Sequence, residues 1–329
     1  MQYKIFFAVV SLSLLFASNT YSQDLISFQD SSGKYGYRNS SGKIVIQAKF
    51  EWASYEFSEG RAVVKLNNLY GHINTAGKTI GKIEYENTSA FGNGLCAVCK
   101  NKKWGYIDTT GKIIINYQFD FAGRFSENLA AVRLNMNDKY GFIDKTGKVV
   151  IAYQFDDIRW FSEGLAPFKM NASWGFIDKT GNKVIENRYI NTGGFSEGLC
   201  NVQQGTKWGY INKLGVLIIP PKYDYAGSFL ENLAAVKLAN KWGYINKSGD
   251  QIVDFIFDYA DAFKGKKAKV KLLNNTFFID RSGKEIKDKL IKPLDISFLN
   301  NMAMSIRDNT FGLLLTNARI LMKIENFTV

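Results

Sequence analysis

An aromatic residue followed by glycine recurs along this chain at a nearly constant interval. The steps between successive pairs are 35, 34, 36, 34, 34 and 34 residues. The pairs are Tyr35-Gly36, Tyr70-Gly71, Trp104-Gly105, Tyr140-Gly141, Trp174-Gly175, Trp208-Gly209 and Trp242-Gly243. A fixed period of this length is typical of repeat architectures, in which each unit packs against its neighbours. We therefore interpret these pairs as structural residues of the repeat.

Two further landmarks keep the same register. A glycine follows each aromatic by seven residues, at positions 42, 77, 111, 147, 181, 215 and 249. A phenylalanine recurs at positions 57, 91, 125, 161, 195, 229 and 263, usually opening a run such as Phe161-Ser162-Glu163-Gly164. Together the three landmarks define seven repeats over residues 35–275.

Degraded copies of the pattern extend it to both ends. Residues 23–34 predict an N-terminal capping strand. Residues 276–329 predict a C-terminal cap, made of a degenerate eighth repeat with Gly283 and a partial ninth opened by Phe311-Gly312. Such caps are expected because a terminal repeat lacks one neighbour.

Each unit predicts three antiparallel strands. In the third copy these are residues 104–108, 112–115 and 129–134, and Asp108 to Gly111 form the hairpin turn between the first two. The fold class is therefore all-β, a tandem array of units of about 34 residues. We favour an open, solenoid-like array, because three strands are fewer than the four of a propeller blade. A closed, propeller-like toroid is the alternative.

The repeated motifs resemble those of the WG-repeat family, also known as KWG repeats. The matching segments are Lys103-Trp104-Gly105-Tyr106-Ile107-Asp108, Trp174-Gly175-Phe176-Ile177-Asp178 and Phe195-Ser196-Glu197-Gly198-Leu199. The resemblance covers nearly the whole chain after the N-terminal segment. It implies a β-rich array of variable copy number, without an established catalytic activity or an agreed ligand.

The N-terminus predicts export. Residues 1–22 combine Lys4 with a largely apolar stretch of 13 residues (5–17) and a small-x-small ending, Thr20-Tyr21-Ser22, as in a secretory signal peptide. No later segment approaches 18 apolar residues, so we expect no transmembrane anchor after cleavage and a periplasmic or secreted protein. The net charge is +12. Cleavage would remove one basic residue and no acidic one, leaving +11, a surplus that favours anionic partners.

Catalysis is not expected. His72 is the only histidine and stands where other copies carry Tyr or Phe, which indicates packing in an aromatic slot. Carboxylates such as Asp108 and Glu127 recur once per unit at turns, whereas a catalytic pair occurs once. We therefore predict no enzyme activity, no catalytic residues, no metal site and no cofactor.

The cysteines predict no disulfide framework. Cys96 and Cys99 are three residues apart on one strand and so point to opposite faces. Cys96 and Cys200 occupy the same buried small-residue position in units three copies apart, too far for a bond. Cys99 takes the place of outward-facing Lys65 and Arg133, which predicts an exposed thiol.

Lysines recur before the aromatic and after the turn glycine. The candidate anion-binding stripe consists of Lys103, Lys112, Lys139, Lys148, Lys207 and Lys241. In a stacked array, equivalent positions form lines along the surface, which suit a charged polymer. The other interpretation is that these lysines solvate the array and protect strand edges.

Two functional hypotheses follow. The first is an exported scaffold that binds a protein partner in the bacterial cell envelope. The alternative is binding of an anionic or envelope polysaccharide through the basic stripe. Nucleic acid is not an expected partner, because an exported protein seldom meets it.

Overall fold

The computed structural model describes residues 25–136 and 138–287, and within them the chain is all-β. The predicted signal peptide at 1–22 and the part of the C-terminal cap beyond residue 287 lie outside the described residues. No helix suited to crossing a membrane occurs in the described part of the chain.

The strands form eight antiparallel sheets, numbered here in chain order. Sheet 1 contains β1 (Ile26–Gln29), β2 (Tyr35–Arg38) and β3 (Ile44–Phe50). Sheet 2 contains β4 (Trp52–Ala53), β5 (Arg61–Leu66), β6 (Leu69–Asn74) and β7 (Thr79–Tyr85). Sheet 3 contains β8 (Asn87–Thr88), β9 (Leu95–Lys100), β10 (Lys103–Asp108) and β11 (Ile113–Phe119). Sheet 4 contains β12 (Phe121–Ala122), β13 (Ala130–Arg133), β14 (Tyr140–Ile143) and β15 (Val149–Phe155).

The remaining four sheets repeat this plan. Sheet 5 contains β16 (Asp157–Ile158), β17 (Ala166–Met170), β18 (Ser173–Ile177) and β19 (Lys183–Tyr189). Sheet 6 contains β20 (Asn191–Thr192), β21 (Leu199–Gln204), β22 (Lys207–Asn212) and β23 (Leu217–Tyr223). Sheet 7 contains β24 (Tyr225–Ala226), β25 (Ala234–Leu238), β26 (Lys241–Ile245) and β27 (Gln251–Phe257). Sheet 8 contains β28 (Tyr259–Ala260), β29 (Ala268–Leu272) and β30 (Asn275–Ile279).

The predicted tandem antiparallel array is confirmed, with one addition. Sheets 2 to 8 each begin with a two-residue strand that forms one edge, which we call the inner edge. The sequence pattern missed this strand because two residues carry no alternation. Among the described strands, no ladder joins one sheet to another, so the sheets form a tandem, solenoid-like series and not a closed barrel. Its curvature nevertheless brings Lys264 of sheet 8 into an ion pair with Glu56 of sheet 2.

The glycine of each aromatic-glycine pair lies against a neighbouring backbone. Trp104 pairs with Phe119, while Tyr106 pairs with Ile115, so the partner strand bulges opposite Gly105. A Cβ on Gly105 would lie only 2.5 Å from the Ile115 carbonyl oxygen. Glycine is required here because the bulged strand crosses where a side chain would be.

The core lies between successive sheets and depends on a repeated aromatic contact. The Tyr106 ring packs edge-on against Phe125 of the next sheet, with ring centroids 4.9 Å apart. Equivalent contacts of 4.8 to 5.0 Å join Tyr37 to Phe57, His72 to Phe91, Phe142 to Phe161, Phe176 to Phe195, Tyr210 to Phe229 and Tyr244 to Phe263. The landmark phenylalanine therefore recurs because it fills the joint between two sheets.

The prediction of an exposed Cys99 is wrong. Its side chain is 7% exposed, and all three cysteines are free and buried. Cys99 belongs to β9, which has a strand on either side within sheet 3. Other parts of the chain also cover both faces of this strand, so the face opposite Cys96 is not the outside of the molecule.

Candidate functional site

Four lysines of the predicted stripe are paired with aspartates. The pairs are Lys103–Asp120, Lys139–Asp156, Lys207–Asp224 and Lys241–Asp258. Asp156 also accepts a hydrogen bond from the Asn171 backbone N–H of the following sheet, as Asp224 does from Asn240 and Asp258 from Leu273. Hydrogen bonding to the lysine holds the pKa of each of these aspartates below its usual value. These lysines join one sheet to the next.

The other two stripe lysines lie at the opposite ends of the sheets. Lys112 and Lys148 follow the hairpin turns, and their backbone N–H groups donate to Asp108 and Asp144. Lys103 and Lys112 are therefore separated by the length of β10, and Lys139 and Lys148 by that of β14. The structure places the six residues in two rows at opposite ends of the strands, so they do not form one continuous basic stripe.

Glutamates at the turns after the landmark phenylalanines form a second set of contacts between sheets. Glu127 accepts a hydrogen bond from the Gly164 N–H at 3.1 Å and pairs with Lys179 at 2.8 Å, both in the next sheet. Glu163, Glu197 and Glu231 repeat this arrangement with Lys213, Lys247 and Arg281. Glu127 has a positive φ of 50°, which the two-residue turn requires. Sequence analysis explained these glutamates by turn chemistry and missed their contacts with the following sheet.

His72 occupies the aromatic slot that was predicted for it. Its side chain is 1% exposed, and Nε2 lies 3.2 Å from both the Ser89 carbonyl oxygen and Cys96 Sγ. In the equivalent place the Tyr106 hydroxyl donates to the Gly123 carbonyl oxygen. Burial lowers the pKa of His72 and raises that of Cys96 to about 11. Both groups are therefore neutral near pH 7, which is unlike a reactive thiolate–imidazolium pair.

One position in the loop after each inner-edge strand varies in size and charge between repeats. The position directly before the landmark phenylalanine is occupied by Glu56, Ala90, Arg124, Trp160, Gly194, Ser228 and Ala262. This position is large or charged in sheets 2, 4 and 5 and small in sheets 6 to 8. The repeat therefore imposes no single residue type here, in contrast to the constant Phe and Gly positions.

Three cavities follow one another along the inner edge. The first, of about 370 Å³, is lined by residues of sheets 2 to 5, among them Glu59, Arg124 and Trp160. Trp160 also lines the second, of about 420 Å³, which extends to Tyr225 in sheet 7. Tyr225 lines the third as well, which continues to Tyr259 in sheet 8. Shared residues thus connect the cavities into one surface, which we call the inner-edge groove.

The middle cavity contains the most unusual polar group. Asn201 is 7% exposed, and its Nδ2 donates to the Ala226 carbonyl oxygen at 2.7 Å. Its Oδ1 has no hydrogen-bond partner. The Arg159 guanidinium donates to Asn191 Oδ1 at 3.0 Å and lies 4.6 Å from the centre of the Trp174 ring. The cavity is therefore lined by one side chain with a fixed positive charge and by a residue whose buried amide oxygen has no hydrogen-bond partner.

The sequence profile of the WG-containing repeat matches this chain seven times. The matched residues are 35–70, 70–104, 104–139, 140–172, 174–208, 208–242 and 242–276. The chain belongs to the WG-repeat family. The resemblance seen in the aromatic-glycine pairs is thereby confirmed. The curated proteins contain no significant match.

Several solved structures are similar at low identity. A eukaryotic initiation factor is 10% identical, with 80% of this chain and 95% of that chain covered and a TM-score of 0.47. Virginiamycin B lyase from Staphylococcus aureus is 14% identical, covers 67% of this chain and 91% of its own, and has a TM-score of 0.39. Hsv2 of Kluyveromyces lactis is 12% identical, with 58% and 71% covered and a TM-score of 0.41. At TM-scores below 0.5, these likenesses do not bear on what the WG-repeat chain binds.

Metal ligation has no candidate in the described residues. Across 25–136 and 138–287, no three His, Cys, Asp or Glu side chains are grouped so that they hold a metal ion. The recurring aspartates of the turns instead bind nearby backbone N–H and hydroxyl groups, as Asp144 does with Thr146.

Proposed function

We propose that this WG-repeat protein is an exported, non-catalytic binding protein that holds a protein partner in the cell envelope through its inner-edge groove. The observation that carries the proposal is the set of exposed aromatic side chains along this groove. They are Trp160, Tyr225 and Tyr259. Tyrosine, tryptophan and arginine are the residues most enriched at the energetic centres of protein interfaces.

Trp160 is not needed to build the repeat. Trp160 is 64% exposed, and the equivalent positions in sheets 3, 6, 7 and 8 carry Ala90, Gly194, Ser228 and Ala262. Its large ring therefore buries little surface in the free protein. A partner that covers it would gain the apolar burial that folding leaves unused.

The groove is supported by a rigid frame. Buried aromatic pairs connect each sheet to the next, and ion pairs reinforce the joints from sheet 4 onward, so the exposed rings are held at fixed spacings. A pre-formed surface loses less conformational entropy on binding than a flexible one. An elongated protein segment that lies across several sheets suits this arrangement.

The basic rows give less support to the polysaccharide alternative. Lys103, Lys139, Lys207 and Lys241 already have carboxylate partners. A charged polymer would have to compete with these aspartates, whereas a ligand of the groove would not. The groove is therefore the preferred binding surface.

Site-specific photo-cross-linking tests the proposal. A photoreactive phenylalanine analogue would replace Trp160 or Tyr225 in the full chain, expressed in its own cells. Phe278 is the matched control, because it is an exposed aromatic of β30 that lines none of the three groove cavities. We expect the same protein to be captured from positions 160 and 225 and not from 278. Capture of no protein from the groove, or equal capture from all three positions, would overturn the proposal.

A further inference from the structure

Sheet 8 turns a row of lysines away from the rest of the array. It packs against sheet 7 through Ala268 and Val270 of β29, among other residues. Successive residues of a strand point to opposite faces of the sheet. Lys269 and Lys271 of β29 therefore face away from sheet 7, in line with Lys267 directly before the strand. All three lysines are exposed. We call this side of sheet 8 the terminal face.

Two of these lysines stand where earlier sheets have buried residues. The position of Lys267 is a leucine in sheets 3 to 7, and each of these leucines is 6 to 8% exposed because the next sheet covers it. The position of Lys269 is buried in sheets 2 to 7. The equivalent residues are Leu95, Leu129, Leu165, Leu199 and Leu233 for Lys267, and Val63, Ala97, Ala131, Pro167, Asn201 and Ala235 for Lys269. Burial of an unpaired lysine is strongly unfavourable, so a further sheet of the same kind would not stack here.

The three lysines have no carboxylate partner among the described residues. The ion pairs at this end of the array join other residues, namely Asp258 to Lys241, Lys264 to Glu56 and Arg281 to Glu231. Lys267 Nζ instead lies 4.4 Å from the centre of the Phe278 ring. The terminal face therefore has a positive charge that the fold does not neutralise.

Two exposed apolar side chains accompany this charge. Phe278 lies opposite Lys269 in the β29–β30 ladder and is 41% exposed, whereas Tyr244 is fully buried at the same position of sheet 7. Leu273 is 79% exposed at the tip of the β29–β30 hairpin. Its φ of 49° is a left-handed conformation that suits asparagine, as at Asn67 in the hairpin of sheet 2, better than leucine. Neither the turn nor the core requires these apolar side chains.

Neither the following segment nor solvation accounts for this combination. Residues 288–329 contain five basic and four acidic residues, so they bring no net negative charge to the terminal face. The end of a repeat array needs a polar outer surface for solubility. Lysines alone would meet that need, and exposed Phe278 and Leu273 work against it. A partner that is both anionic and apolar explains all of these residues.

The shape of the terminal face favours a lipid surface over a peptide. Extended peptides bind in a groove or along a free strand edge. None of the terminal-face lysines lines a cavity of the inner-edge groove. Beside Phe278, the edge of β30 is already bonded by the Ile286 N–H, which donates to the Phe278 carbonyl oxygen at 2.7 Å. An open face with lysines about 7 Å apart along a strand suits phosphate headgroups, and exposed apolar side chains suit the layer beneath them.

We infer that the terminal face docks this protein on an anionic lipid surface. Lys267, Lys269 and Lys271 contact the lipid phosphates, and Phe278 and Leu273 insert between the headgroups. This inference goes beyond the proposed protein partner, because the terminal face and the cavities of the inner-edge groove share no residue. A partner in the groove and a lipid surface at the terminal face can therefore be bound at the same time.

Vesicle co-sedimentation of residues 23–329 tests the lysines. We expect binding to vesicles that contain phosphatidylglycerol, no binding to pure phosphatidylcholine, and loss of binding at high salt because salt screens exposed charges. The double variant Lys267→Glu/Lys269→Glu should weaken binding at least tenfold. Lys112→Glu/Lys148→Glu is the matched control, because it changes the net charge equally at exposed lysines of sheets 3 and 4. The control should bind like the unchanged protein.

Phe278→Ala tests the apolar contact. We expect it to weaken vesicle binding about threefold or more without changing the melting temperature, because the ring is exposed. A marked fall in melting temperature would show that the chain itself covers this ring and would overturn the inference. Absence of binding to the anionic vesicles, or equal weakening by both double variants, would also overturn it.

Polyglutamate distinguishes the other class of anionic partner. Binding of polyglutamate that depends on Lys267 and Lys269, without binding to anionic vesicles, would assign the terminal face to acidic polypeptides and overturn the lipid surface. None of these outcomes alters the photo-cross-linking result from positions 160 and 225. The proposed function therefore stands or fails separately.

Discussion

The joints between sheets differ between the N-terminal and C-terminal parts of the array. From sheet 4 onward, a glutamate accepts a backbone N–H of the next sheet and pairs with a cation there, as Glu197 does with Asn232 and Lys247. In the joint from sheet 2 to sheet 3, Glu59 bonds the Gly94 N–H at 3.0 Å, but Thr109 stands at the cation position. In the next joint the cation position holds Lys145, but Asn93 replaces the glutamate.

At the opposite ends of the strands, the first two joints also lack an ion pair that later joints contain. Glu51 and Glu86 each accept two backbone N–H groups of the hairpin that follows them. Asp224 and Asp258 accept one N–H and also pair with a lysine of the preceding sheet. Ion pairs thus cross the joints from sheet 6 to 7 and from sheet 7 to 8 on both sides. The joint from sheet 5 to 6 has only the Glu163–Lys213 pair, because Ser173 and Ile190 replace the lysine and the aspartate. The middle cavity of the inner-edge groove spans the joint between sheets 5 and 6 and the joint between sheets 6 and 7.

The largest expected loss of stability comes from replacing the glycine of an aromatic-glycine pair. This loss should be the same in both regions, because both contain that glycine. A Cβ at Gly105 or Gly175 would lie 2.5 Å from a carbonyl oxygen of the bulged strand. We expect Gly105→Ala and Gly175→Ala each to destabilise by about 2–4 kcal/mol, through forced backbone movement. Chemical denaturation measures the loss. Gly194→Ala is the control, because the nearest atom to its new Cβ is 3.7 Å away, and an equal loss there would contradict this explanation.

Low pH should destabilise the C-terminal joints more than the N-terminal joints. The pKa of Asp224 is held low by Lys207, and that of Asp258 by Lys241. Burial alone would raise the pKa of Glu197, but Lys247 and the Asn232 N–H outweigh it and lower it. A carboxyl with a lowered pKa contributes stability above its unfolded value, about 3.9 for Asp and 4.3 for Glu, and loses it as pH falls through the folded value.

We therefore expect the C-terminal joints to open first as the pH falls below about 4. Hydrogen-exchange mass spectrometry, corrected for intrinsic rates, would compare β21–β26 with β5–β10 at pH 7 and pH 3. Protection should fall more in β21–β26. Uniform loss along the array would mean that the ion pairs contribute no regional difference.

A matched pair of substitutions measures the cation's contribution. Glu59 and Glu197 have similar φ values of 50° and 54°, and both accept a backbone N–H, but only Glu197 has an ion pair with the next sheet. We expect Glu197→Gln to cost about 1 kcal/mol and Glu59→Gln less than about 0.5 kcal/mol. High salt should make the two losses of stability more nearly equal, because it screens exposed charges. A Glu197/Lys247 double-mutant cycle with no coupling would contradict this interpretation.

Sequence analysis predicted the residues that every repeat shares and missed the contacts that join neighbouring repeats. Gly111, Phe125 and the turn at Asp108 recur because local backbone geometry and the aromatic slot require them, so their period is visible in the sequence. The pairing of Glu127 with Lys179 joins residues 52 positions apart, and only the stacking of sheets reveals it. Asn201 is polar where most other copies are apolar, a departure from the repeat that could have directed attention to the groove.

The smallest expected effect is a gain in stability at the joint between sheets 3 and 4, which lacks the glutamate. Asn93→Glu would place a carboxylate opposite Lys145, which stands where Lys179, Lys213 and Lys247 stand in later sheets. Asn93 has a φ of 49°, and Glu127 accepts nearly the same conformation at 50°. Asparagine tolerates positive φ better than glutamate, so part of the new ion pair's energy is offset. We expect a net gain of about 0.3 kcal/mol at low salt, measured as a small rise in melting temperature that 1 M salt removes. Asn93→Gln is the control, since it changes the side-chain length without the charge. A gain of the same size from Gln would show that length, and not the ion pair, distinguishes the C-terminal joints.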